Sequence, residues 1–178
     1  MYILASKSPR RQELLKLLIS DFSIEVSNVN ESLIKDEPYK LSATLSKAKA
    51  KEIFNRHPND IIIAADTIVI HKNKILGKPK DNNEAFAMLK ELSGDSHDVV
   101  TGFTILSKDK CITKSVTTKV YFNELSDELI NKYIQTGSPL DKAGAYGIQD
   151  KEFPLINKIE GSYYNVMGLP VEELKMCL

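Results

Sequence analysis

Apolar residues recur along this chain at two spacings, and the switches between them mark its elements. Tyr2 to Ala5 is a short apolar run, whereas Leu14, Leu15, Leu17 and Leu18 make a stripe at helical spacing, which predicts strand, loop, helix. Ser8 suits the N-cap of that helix, Pro9 its first position, and Glu13 the positive end of its dipole. A second helix is predicted over Leu41 to Phe54, with Leu41, Leu45, Ala48 and Ile53 near one face and Lys47, Lys49 and Lys51 spread around it; "HPND" ends it. "IIIAAD", Ile61 to Asp66, is a continuous apolar run closed by a carboxylate, the pattern of a strand buried on both faces whose C-terminal end meets an open edge. "TIVIHKNKIL" continues it as a hairpin turning near Asn73.

A loop and a helix over Asn83 to Leu92 follow, with Gly94 as the stop. "HDVVTGFTIL" and "CITKSVTTKVYF", separated by "SKDK", alternate and are β-branched, so they predict an antiparallel pair. Ser126 caps a helix running to Gln135. "LDKAGAYGIQD" is too glycine-rich for regular structure, a strand pair is predicted between Phe153 and Val166, and "GLPVEELKM" begins a last short helix. With no repeat, low-complexity tract or linker, residues 1–178 read as a single α/β domain.

Charge narrows the function. Twenty-four basic and 24 acidic side chains cancel, so no global field draws in a polyanion, and any recognition of phosphate must be local. This argues against a stable nucleic-acid partner. Cys111 and Cys177 lack the paired spacing of a zinc site and read as reduced bystander thiols, which points to a cytoplasmic protein. No run approaches the roughly 18 apolar residues of a membrane span, so no membrane partner is expected.

Against that neutral background "ASKSPRRQELL" stands out, because Lys7, Arg10 and Arg11 crowd the start of a helix and repel one another unless an anion sits among them or water screens them. A helix start after a strand offers free N–H groups, and the two arginines add forked donors suited to phosphate oxygens; the alternative is a solvated first turn. It is not a P-loop, since G-x-x-x-x-G-K-[ST] occurs nowhere in the chain. Asp66 is placed to hold a divalent metal or take a proton from water, although a lone Asp after a strand more commonly caps a turn. Lys78 in "GKPKD" can reach a phosphate as a point charge, or serve solubility alone. Glu31 is a second acid suited to metal binding near a phosphate site. His97 could donate to a ligand or support a residue that does, although a His at a strand entrance is more commonly a satisfied polar residue. In "DKAGAYGIQD", Gly144 and Gly147 permit close backbone approach to a ligand, Tyr146 offers a ring and Gln149 an amide for a base edge, with a tight structural turn as the competing reading. Tyr163, Tyr164 and Asn165 read as core or interface.

Taken in order, "LASKSPRRQELL", "KAKAKEI", "AADTIV", "LGKPKD", "LSGDSHDVVTG", "DKAGAYGIQ" and "IEGSYYNVMGLP" resemble the Maf family of nucleotide pyrophosphatases over nearly the whole chain. The nearer likeness is to the branch acting on dTTP and UTP, because Thr67 follows the aspartate and the late loop reads "AGAYGIQ". The resemblance implies a Maf/ITPase-like mixed, strongly curved sheet flanked by helices, two lobes with a deep central cleft, and a homodimer. It implies an enzyme that hydrolyses a nucleoside triphosphate between its α and β phosphates, giving the monophosphate and pyrophosphate with a divalent cation, Mg or Mn. Carried onto matching positions, Asp66 looks like the catalytic acid or base and, with Glu31, a metal ligand; Arg10, Thr67 and Gln149 look like specificity positions; Ser6, Arg11, Lys49 and Lys78 complete the cleft. The other reading is a nucleotide-binding regulator of cell division and septum formation that needs no turnover.

Overall fold

A computed structural model describes residues 1–178. Seven strands form one mixed sheet: β1 (Tyr2–Leu4), β2 (Ser23–Ile24), β3 (Ile61–His71), β4 (Lys74–Leu76), β5 (Ser96–Leu106), β6 (Cys111–Phe122) and β7 (Ile156–Glu160). The helices are α1 (Pro9–Leu15), α2 (Pro38–Arg56), α3 (Asn82–Leu92), α4 (Asp127–Gln135), α5 (Tyr163–Met167) and α6 (Val171–Cys177). The order is β2-β1-β3-β5-β6-β7, with β4 also paired to β3. β1 is parallel to β2 and β3, and every other pairing is antiparallel.

The long central strand sets the layout. Strand side chains alternate between faces. Ile62 and Ala64 of β3 accordingly pack with Ala50 and Ile53 of α2, while Ile63 and Ala65 pack on the other face with Leu14 and Leu15 of α1 and Leu174 of α6. Farther along that second face, Val69 joins Leu89 and Leu92 of α3 and Ile130 of α4. One helix therefore covers one face, and two separate helical groups cover the other.

β3 does not end at Asp66. Its antiparallel ladder with β5 runs from Ile62↔Leu106 to Ile70↔Asp98, and that ladder keeps the backbone extended past the acid, which sits mid-strand opposite Gly102. On the opposite edge, β1 pairs only with Ile61 to Ile63 and β4 only with Val69 to His71. Asp66 and Thr67 thus occupy a stretch of β3 edge between two strand neighbours. Gly102 matters for a second reason: a Cβ there would lie 2.2 Å from the Ala43 backbone nitrogen, so only glycine lets α2 approach this closely.

Two boundaries differ from the periodicity. α2 starts at Pro38 rather than Leu41, because proline at the first helical position adds an exposed turn that carries no apolar signal. The strand pair expected over Phe153 to Val166 is a single strand, β7, followed by α5. Gly161 at φ +132 turns the chain, and Ser162 Oγ accepts the Asn165 N–H at 3.0 Å, capping the new helix.

Candidate active site

A cavity of about 1040 Å³ opens on the unpaired stretch of β3 edge. Ser6, Arg10, Arg11, Glu31, Lys49, Asp66, Thr67, Lys78 and Gln149, which are remote in sequence, all line it. Because consecutive strand residues point to opposite faces, β3 supplies the cavity with two different environments. Asp66 faces α2, and Thr67 faces α1.

On the first face, Lys49 Nζ lies 2.6 Å from Asp66 Oδ1 and 3.0 Å from Glu31 Oε1. Lys49 and Asp66 are nearly buried, their side chains 10% and 13% exposed, whereas Glu31 is half exposed. Glu31 is brought here by a short 3₁₀ turn, Glu31–Leu33, that Asn30 caps by accepting the Ser32 N–H at 3.2 Å. A buried ion pair contributes little to stability once desolvation is counted, so its retention at a cavity wall points to chemistry. The bond from Lys49 goes to Oδ1 and leaves Asp66 Oδ2 without a protein donor.

On the second face, Arg11 is pinned. Its Nε donates to the Gly168 carbonyl at 2.9 Å, Nη1 to Ser6 Oγ at 3.4 Å and Nη2 to Thr67 Oγ1 at 3.0 Å. Burial lowers the Arg11 pKa from its ordinary value, opposed by nearby Asp66, but a guanidinium stays cationic throughout the physiological range. Three of its five N–H groups are spent on the protein. The remaining two are left for a ligand. The Ser8 hydroxyl takes the Arg11 backbone N–H at 3.5 Å, so that donor at the start of α1 is not free for an anion.

Arg10 pairs with Asp141 at 3.5 Å, and Lys142 reaches the same carboxylate at 2.8 Å. Burial pushes the Asp141 carboxyl up, but Lys142 and Arg10 outweigh it and hold it below its ordinary 3.8. Asp141 and Lys142 both line the cavity and do not stand out in the sequence, where glycines and an aromatic ring dominate the same stretch. Lys78 is exposed and makes no ion pair, which leaves its ammonium available.

The late loop reaches the cavity differently from its glycine reading. Gly144, at φ +71, lies against Val69, where a Cβ would meet Cγ2 at 3.0 Å, and is needed for packing on β3 rather than for access to a ligand. Only Gly147 of the two lines the cavity. Its N–H donates to Tyr133 Oη at 3.0 Å, and Tyr133 in turn donates to Asp150 Oδ2 at 2.6 Å, which clamps both sides of exposed Gln149. Tyr146 is buried, so its ring forms wall rather than a stacking platform. Its hydroxyl lies 2.6 Å from His97 Nε2, and burial together with nearby His71 lowers His97 from 6.5 to about 4, keeping it neutral.

Whether a metal fits is decided by the donors. Nowhere do three His, Cys, Asp or Glu side chains converge as a cage. Glu31 and Asp66 nonetheless present hard carboxylate oxygens around one nitrogen, and magnesium-type cations are commonly held by one or two carboxylates with substrate phosphates and water completing the shell. The donor set fits such a cation shared with a phosphate ligand.

Comparison with known proteins finds relatives along nearly the whole chain. Proteins named dTTP/UTP pyrophosphatase are similar over nearly the full length. That of Thermosipho melanesiensis is 53% identical over 172 residues, 97% of this chain and 93% of the relative. That of Pyrococcus furiosus is 54% identical over 170 residues, 95% of this chain and 89% of the relative. That of Clostridium botulinum (strain Kyoto / Type A2) is 48% identical over 183 residues, 99% of this chain and 94% of the relative. The solved Staphylococcus aureus Ham1 protein overlaps 71% of this chain and 72% of its own at 16% identity and a TM-score of 0.46, a likeness too loose to bear on function. The profile described as Maf-like protein matches residues 1–178, and the chain belongs to that family.

Proposed function

We propose that this chain is a nucleoside triphosphate pyrophosphatase that hydrolyses dTTP and UTP between the α and β phosphates, releasing the monophosphate and pyrophosphate. The observation that carries the reading is the convergence of Arg10, Arg11, Lys49 and Lys78 with Asp66 on one cavity in a protein of zero net charge. The names of the full-length relatives support the same substrate pair.

Each residue then has a task. The free N–H groups of Arg11, with Arg10 and Lys78, bind the triphosphate and stabilise charge as the bridging bond breaks, which is usually the largest contribution to catalysis in such chemistry. Asp66 Oδ2 takes the proton of the attacking water, while Lys49 on Oδ1 keeps the carboxylate aimed. Glu31 would hold a divalent cation, Mg or Mn, joined by Asp66 Oδ2 in the alternative in which that oxygen binds the cation instead of taking the proton. When bound, that cation polarises the phosphoryl oxygens and acidifies a bound water. Gln149, clamped by the Tyr133 and Asp150 bonds beside it, reads the base edge; a wrong base leaves buried polar groups unpaired, at roughly 1–3 kcal/mol each. Residues 1–178 act as one domain, and the family resemblance supports a cytoplasmic homodimer, which sedimentation of the purified protein checks.

The test is a nucleotide panel with Mg or Mn, including modified pyrimidine nucleotides, read as pyrophosphate and as orthophosphate. dTTP and UTP outrun dCTP and dGTP, and pyrophosphate appears first. Orthophosphate as the first product, or equal turnover of all four, rejects the proposal.

A further inference from the structure

The resemblance puts Thr67 among the specificity positions, but its hydrogen bonds commit it elsewhere. The Asn165 backbone carbonyl can only accept, so Thr101 Oγ1, 3.0 Å away and fully buried, must spend its single proton there. Thr101 is then only an acceptor toward Thr67 Oγ1 at 2.9 Å, which fixes Thr67 as the donor of that bond. The Gly168 carbonyl, 3.4 Å from Thr67 and already taken by Arg11 Nε at 2.9 Å, is a poor competitor for the same proton. What Thr67 presents to the cavity side is therefore a lone pair, and Arg11 Nη2 fills it at 3.0 Å.

The anchor of this chain of bonds is itself immobilised. Asn165 is completely buried, its Nδ2 donating to Val99 O at 3.1 Å and to Thr118 Oγ1 at 2.9 Å, and its N–H going to Ser162 at 3.0 Å. Three residues later the same helix end provides the Gly168 carbonyl that holds Arg11 Nε. α5 thus fixes the guanidinium twice: directly, and through two hydroxyls whose proton direction is dictated by a carbonyl.

We infer that Thr67 and Thr101 are positioning residues, forming a one-directional hydroxyl relay from the Asn165 carbonyl that aims the Arg11 guanidinium, and that Thr67 has no proton to offer a nucleobase. The kinetic half of this inference rests on the function proposed above; the geometric half does not.

The test uses the whole protein and the Thr101→Val, Thr101→Ser, Thr67→Val and Thr67→Val/Thr101→Val variants. Solvent exchange of the Arg11 Nη2–H protons is followed by ¹⁵N NMR, with the signal assigned by its loss in Arg11→Lys, alongside kcat and KM for dTTP and dCTP. Thr101→Val accelerates the exchange about tenfold and lowers kcat/KM by a similar factor for both nucleotides, leaving their ratio unchanged. Thr101→Ser restores both readouts, and the double variant is no worse than Thr67→Val. Unchanged exchange in a folded Thr101→Val or Thr67→Val overturns the relay. So does a Thr67→Val protein in which the dTTP to dCTP ratio shifts tenfold. Should Thr101→Val not fold, Thr67→Val decides the exchange question alone. Wild-type protein that hydrolyses no nucleotide refutes the proposed activity, and the exchange measurement still tests the relay.

Discussion

Replacing Gly102 with alanine adds one carbon atom and is expected to disable the protein in a predictable way. The new Cβ would sit 2.2 Å from Ala43 N and 2.3 Å from Ser42 C, both backbone atoms of α2, whereas ordinary contact begins at 3.4 Å. No side-chain rotation relieves a clash with backbone, so α2 has to retreat by about 1.2 Å. Overpacking of this kind costs about 1–3 kcal/mol, and with a backbone obstacle the upper end applies. For a chain of this size that corresponds to a fall in Tm of roughly 6–12 °C. The retreat also carries Lys49 away from Asp66. Their 2.6 Å contact stretches past hydrogen-bonding range, leaving the carboxylate unaimed and the buried ammonium without its principal partner. Calorimetry and pyrophosphate release on Gly102→Ala check both effects: the expected result is the stated Tm loss with kcat down at least tenfold. A variant with wild-type Tm and kcat would show that α2 is not seated by this contact.

Three other perturbations separate the roles assigned above. Asp66→Asn removes the proton acceptor but keeps the shape, so turnover falls roughly 10²–10⁴-fold while nucleotide affinity by calorimetry survives; undiminished turnover removes Asp66 from the chemistry. His97 is held near 4 in the fold against 6.5 outside it, mainly by burial and then by His71, with Asp98 and Asp95 opposing. The unfolded chain therefore binds the extra proton first, and stability is lost as pH falls from about 6.5 to about 4, by about 3 kcal/mol. The Tm of His97→Gln falls less steeply than wild type over that range, and parallel curves would contradict the buried neutral imidazole. Since no three protein ligands converge, magnesium titrated into free protein gives little heat, and binding appears only with a non-hydrolysable triphosphate; tight stoichiometric binding to the free protein would require a cage the fold lacks.

How far the sequence reveals this site depends on the length scale of each signal. The turn at Lys72 and Asn73, both at positive φ, was legible because a two-residue hairpin leaves a local signature. So was the α4 start at Ser126, whose hydroxyl takes the Leu129 N–H at 3.1 Å. The mid-strand position of Asp66 was not, since it follows from where β1 and β4 stop pairing, a fact about other segments. Gly102 looks like an ordinary strand residue because its reason lies in α2, far earlier in the chain. Asp141 and Lys142 escape notice for the same cause: only the fold brings Arg10 to them. The nine residues carried over by resemblance do share one cavity, yet the contact of Thr67 with Thr101, 34 positions away, is invisible until the strands are paired.

One property of β3 sets a limit on how this architecture can vary. The acid and the hydroxyl that serve the two halves of the cavity are consecutive residues, so their separation is fixed by the pleat rather than by any loop. Insertion of a single amino acid between Ile63 and Asp66 would not shift the centre along the strand; it would exchange its two sides, turning the carboxylate toward Arg11 and the threonine toward Lys49. Length changes are tolerable in the surrounding turns, but within this stretch only even-numbered ones preserve handedness.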